Sequence, residues 1–153
     1  MADGATIDSK LMFCHYGPLQ LNGRGSPKGQ WLTIDYVSDG VTVTEGLDDE
    51  ACYVQHNGKA GIMTVSLLES ADLNGSLSDL HEVAMNTPGG LVLPWTGRRQ
   101  NGGSIYVADT ARIVRHAPGV WSDGAEVRVW TFVTTRLISR VGGISATPVN
   151  PNP

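Results

Sequence analysis

The segment Gly61 to Leu80, GIMTVSLLESADLNGSLSDL, decides the fold class. Its first part alternates: Met63, Val65 and Leu67 fall on one side of an extended chain, because successive side chains of a strand point to opposite faces. The period then changes. Leu73, Leu77, Leu80 and Ala84 recur at helical spacing and give one apolar face to a helix over about Leu73 to Met85. Asp72 or Ser70 is its candidate N-cap, and Pro88-Gly89-Gly90 ends it. A strand that runs with almost no linker into a short amphipathic helix is a signature of architecture, not of catalysis.

Outward from this segment the chain reads as strands and turns. Trp31 to Val37 alternates, with Leu32, Ile34 and Tyr36 on one side, and Val41 to Glu45 alternates again after Ser38-Asp39-Gly40. These two are expected to pair as a hairpin. Ala51 to His56 is a further strand, separated from the Gly61 strand by Asn57-Gly58-Lys59, where Asn-Gly tolerates the positive φ of a tight turn. Towards the N-terminus a short strand at Leu11 to Tyr16 precedes a Gly-, Pro- and Asn-rich loop that is long for a compact domain. Beyond the helix, Leu91 to Trp95 is a short strand and Gly97 to Gly103 (GRRQNGG) a flexible basic turn. Ser104 to Ala117 and Ala125 to Ile138 read as two long strands joined across Pro118 to Gly124. At ~3.3 Å per residue each would reach about 40 Å, past the ~17 to 20 Å of a usual strand, and would outrun its own domain. The tail ATPVNPNP is polar and Pro-rich and is expected to lie on a surface or to be disordered.

Composition agrees with one mainly β domain over residues 1–153, an antiparallel β-sandwich or half-open barrel with one flanking α-helix. The 153 residues suffice for a single core, 41% hydrophobic and 17% charged residues are ordinary for a globular protein, and 19 Gly and 8 Pro supply many turns. A net charge of -4 argues against a surface that grips phosphate. Two cysteines, Cys14 and Cys52, make no disulfide framework. The N-terminus lacks the pattern of a signal peptide and no apolar run approaches 18 residues, so synthesis in a reducing cytoplasm and no membrane span are expected.

The chemistry-bearing residues do not converge. Gly23, Gly25 and Gly29 in NGRGSPKG sit beside Pro27 with no helix to follow, and Gly58-Lys59 lacks the first glycine and the Ser or Thr of a P-loop, so neither cradles a phosphate. The paired spacings of Cys14, His15, Cys52 and His56 match no zinc pattern, and Asp48-Asp49-Glu50 lacks the ligand ladder of a calcium loop. His81 and His116 read as ordinary polar or core-edge residues. No G-x-S-x-G elbow or cysteine nucleophile signature is present. Neither enzyme activity nor a cofactor or metal is expected. More informative is the last long strand, where Val127, Val129, Thr131 and Val133 share one face and Trp130 and Phe132 the other. A strand apolar on both faces is covered on both sides. One face is expected to meet the intrachain core and the other a neighbouring subunit.

The strand and helix first quoted, together with Gly40 to Val43 (GVTV), His56 to Gly61 (HNGKAG) and the closing Trp130, Phe132, Gly142 and Gly143, resemble the inner tail tube proteins of contractile-tailed bacteriophages. The resemblance spans roughly Gly40 to Gly143. It implies a structural virion protein, made in the host cytoplasm, that closes into hexameric rings and stacks them into a tube through which double-stranded DNA passes. The partners it implies are other copies of the chain, tail sheath, tape-measure and baseplate proteins. A tail terminator or a tube component of a related injection system shares the fold but not the position, and a small β-sandwich ligand-binding module is the alternative from another class. Three further expectations concern particular residues. Trp130 and Phe132 are structural; Gly23, Gly25 and Lys28 belong to a loop used in ring stacking; and Asp48, Asp49 and Glu50 face the lumen, where acids would not retain DNA.

Overall fold

The computed structural model describes residues 12–21, 26–99 and 103–142. These hold strands β1 (Met12–Tyr16), β2 (Leu19–Gln20), β3 (Leu32–Tyr36), β4 (Val41–Glu45), β5 (Ala51–Gln55) and β6 (Gly61–Leu68), then helix α1 (Leu73–Asn86), then β7 (Leu93–Arg99), β8 (Ile105–Ile113), β9 (Val127–Thr134) and β10 (Ile138–Arg140). The main sheet runs β2-β1-β7-β8-β9-β6-β3, with β10 also on β8, and every pairing in it is antiparallel. Strands β4 and β5 form a separate two-stranded ribbon. The sheet curls: a methyl group on Gly97 of β7 would lie 3.5 Å from Ile34 Cδ1 of β3, although three strands, β8, β9 and β6, lie between the two along the sheet. The result is a mainly β, half-open barrel with one helix.

The alternation in Gly61 to Leu68 does what its period requires. Met63, Val65 and Leu67 are fully buried, opposite Phe132, Trp130 and Arg128 of β9, so one face of the β6–β9 pair builds the core with Cys14, Tyr16, Trp95 and Ile113. Leu73 and Leu77 of α1 enter the same core and Leu80 packs against it, while the next helical turn contributes His81. Asp72 occupies the N-cap position without a capping hydrogen bond from its side chain. Asn74 instead donates from Nδ2 to the Leu68 carbonyl at 2.9 Å and accepts the Trp130 indole N–H at 3.0 Å, tying the first helical turn to both strands of the pair it covers.

β9 and β10 are one interrupted strand. Thr134 pairs with Ala111 and Ile138 with Val107 in a single register along β8, and residues 135–137 leave the ladder between them. Thr134 Oγ1 donates to the Thr110 carbonyl at 2.6 Å, and Leu137 N donates to the Lys59 carbonyl at 2.7 Å, which turns the interruption towards the start of β6. Leu137 fills the space above Gly61, where an added Cβ would sit 2.7 Å from its Cδ2.

Four expectations from the sequence are corrected. Trp31 to Val37 does not pair with Val41 to Glu45: β3 pairs with β6 and β4 with β5, because the turn that reverses the chain is Gly46 to Glu50, with Asp49 at φ 60°, and not Ser38 to Gly40. For the same reason Asn57-Gly58 does not fold Ala51 to His56 back on the Gly61 strand. Gly97 to Arg99 are not a turn but the end of β7, hydrogen-bonded to β1 on one side and β8 on the other. The two long strands that were expected to outrun the domain end at Ile113 and begin at Val127, and their ladder partners all lie within the main sheet.

Candidate assembly interface

Among the described residues the β4–β5 ribbon pairs with no strand outside itself. It continues the β3–β6 ladder outward: Tyr36 faces Gly61 in one register and Val41 faces Gln55 in the next, with Val37 N bonded to the Ala60 carbonyl and His56 N to the Gly40 carbonyl across the joint. Five residues per strand at ~3.3 Å give an arm about 17 Å long. Every residue of both strands is exposed. Val41, Val43 and Tyr53 share one face, since Val43 is directly opposite Tyr53 and Val41 opposite Gln55; Tyr53 is 83% exposed and Leu47 at the tip 105%. An isolated two-stranded hairpin is marginal in water, and its two free edges and apolar face are the features that monomeric proteins avoid.

The sequence-derived candidates fall in different places. Trp130 and Phe132 lie in the core, while Val127, Val129 and Val133 on the outer face of β9 are more than a third exposed, the two-sided pattern read from the sequence. Asp48, Asp49 and Glu50 sit together at the arm tip, all exposed. Lys28 is exposed on the approach to β3; Gly23 and Gly25, like Gly143 and the Pro-rich tail, lie outside the described residues. The arm residues Val43, Leu47 and Tyr53 escaped the sequence reading. Their signal was present in two alternating strands of equal length around Gly46 to Glu50, but alternation alone does not say that nothing covers the apolar side.

Burial pushes the Cys14 thiol up to about 12, so it is a small core residue and not a nucleophile. Cys52 is exposed on β5. His81 is buried on α1 with its ring edge-on to His116 at 4.7 Å, and His116 Nε2 lies 2.7 Å from Glu82 Oε1. Burial, then His116, hold His81 below the ordinary histidine value, with Arg112 adding to the effect and Glu82 opposing it. These groups pin the helix to the segment after β8. Among the described residues no group of three His, Cys, Asp or Glu side chains is placed to hold a metal ion, and no helix is long and apolar enough to cross a membrane.

No protein-family model and no curated protein sequence matches the chain. Its fold has clear relatives among solved structures. The tube-terminating cap of the anti-feeding prophage superposes with a TM-score of 0.55 at 12% identity, over 93% of this chain and 95% of that one. A chain of the extended sheath-tube complex of an extracellular contractile injection system, PVC, gives 0.55 at 11% identity over 89% and 92%, and the PVC sheath/tube terminator in its extended state gives 0.54 at 13% identity over 92% and 100%. At these identities what is shared is the fold, and the chain therefore has, nearly end to end, the fold of components of contractile injection machines, caps and terminators among them.

Proposed function

We propose that this chain is a structural subunit of a contractile tail-like tube, a protein that closes into a ring and terminates or caps that tube. The observation that carries the reading is the near-complete two-way coverage with a tube cap and a tube terminator. The bare β4–β5 arm supports it, because a ribbon with no core of its own needs a surface on another molecule, and repeated heterologous contacts that close by rotation make a ring. No catalytic step is required. In this setting the partners are other copies of the chain and the tube and sheath of the same machine.

A second reading, favoured by the likeness to the sheath-tube complex and by the sequence resemblance, is the inner tube itself, with hexameric rings stacked over a tape-measure protein into a conduit for phage DNA. In that role acids at the arm tip facing the conduit would repel a phosphate backbone. Negative-stain microscopy of the purified protein tests both. Closed rings of limited height fit a terminator or cap, and open-ended tubes fit the inner tube. A protein that stays monomeric at every concentration, alone and with its cognate tube, would refute the ring reading.

A further inference from the structure

The end of β8 that leads into Val114 to Glu126 carries an exposed tryptophan held in place from below. Trp121 is 78% exposed, yet it is not a loose side chain. The Arg128 guanidinium lies over its ring at 5.4 Å and donates from Nη1 to the Val120 carbonyl at 2.7 Å. Arg128 is itself fixed by Glu69 through Nη2 at 2.7 Å. Gly119 leaves room for the indole, since a Cβ there would come within 2.7 Å of it. A rigid aromatic group backed by arginine and left in water resembles a binding hot spot before it is covered.

The opposite end of the same strand carries a hole. Between β3 and β7 is an open groove of about 320 Å³, lined by Leu32, Ile34, Tyr106, Arg98 and Arg99 among others. Arg98 pairs with Ile105 at the start of β8, whereas the Trp121 loop follows Ile113 at its end. Trp121 is 78% exposed and is not among the residues that line the groove, so the chain does not fill its own groove with it. Charge matches across the gap. Residues 117–126 contain Asp123 and Glu126 and no Lys or Arg, and among the described residues the groove lining contains Arg98 and Arg99 and no acid.

The geometry points to a head-to-tail contact between copies of this chain, in which Trp121 of one copy seats in the β3–β7 groove of the next, beside Arg98 and Arg99. The partner is a second copy because one surface carries both the knob and its complement, and a contact between two different ends of a molecule repeats into a ring or a stack. An arginine next to a desolvated indole adds cation–π attraction, and the acids beside Trp121 steer the approach. This inference rests on the ring-forming reading above.

The test compares the full chain with Trp121→Ala, Arg99→Asp, Asp123→Arg and the Arg99→Asp/Asp123→Arg pair by sedimentation and by acrylamide quenching of tryptophan emission. Trp121→Ala should keep the parental thermal midpoint and raise the dissociation constant of the assembly roughly 30-fold or more, as loss of a hot spot does. Each charge reversal should weaken assembly, and the pair should assemble better than either alone. In the parent, the quenchable emission should fall as assembly proceeds. A parent that assembles while Trp121→Ala assembles equally well overturns the knob and leaves the ring reading standing. A parent that assembles through Trp121 but ignores Arg99→Asp overturns the groove as its seat, and a parent that never assembles overturns both inferences together.

Discussion

Trp95 and Trp130 are both buried in one core, and they should respond differently to replacement by phenylalanine. Either change removes the same atoms from a site with almost no solvent access, so the transfer and cavity costs are similar. The polar atom separates them. Trp130 Nε1 donates to Asn74 Oδ1 at 3.0 Å, and Trp130→Phe loses that bond, a net cost of about 1 kcal/mol. Trp95 Nε1 has no partner among the described residues, so the native fold already bears the cost of a buried orphan donor, and Trp95→Phe relieves about 2 kcal/mol of it. The two variants should therefore differ by about 3 kcal/mol in stability, Trp130→Phe being the weaker. For a domain of this size that is a gap of roughly 6 to 12 °C in thermal midpoint. Calorimetry or thermal circular dichroism on both variants measures it. Equal midpoints, or a lower one for Trp95→Phe, would show that the polar term does not separate the two sites.

Trp130→Ala should cost roughly 3 to 5 kcal/mol by denaturant titration, with no small-molecule binding lost, since the indole is 2% exposed and sits against core side chains and Asn74. The double change Val43→Ser/Tyr53→Ser should leave the urea midpoint almost unmoved, within about 0.5 kcal/mol per site, and should disrupt assembly in sedimentation, because both side chains are exposed on an arm that adds nothing to the core. His81 is held below the ordinary histidine value, so below about pH 6.5 the unfolded chain binds more protons than the folded one. Stability should accordingly decline as pH falls from about 6.5 through the folded value, and His81→Leu should flatten that part of the pH profile in urea titrations. A thiol reagent should label one of the two cysteines of the native protein, exposed Cys52, and reach buried Cys14 only on unfolding; rapid labelling of both would mean that β1 opens readily.

Local periodicity carried much of the fold. The change from period two to helical spacing within Gly61 to Leu80 placed β6 and α1 nearly to the residue, and the alternation of Val127 to Thr134 set out the two opposed faces of β9 without telling which of them is core, because these properties belong to a single segment. A mainly β domain with one helix followed from the same local patterns and from composition. Pairing did not. Strands β3 and β4 read as a hairpin since a turn signal lay between them, yet β3 found β6 and left β4 and β5 to each other, a choice set by which apolar faces could reach the common core. Gly97 to Arg99 looked like loop residues and became a strand between two others, where neighbouring ladders outweigh propensity. The arm, the Trp121 knob and the β3–β7 groove are invisible in sequence for one physical reason. Whether an apolar side chain is buried, or is left waiting for another molecule, depends on what the rest of the chain brings to its surface, and only the tertiary structure decides that.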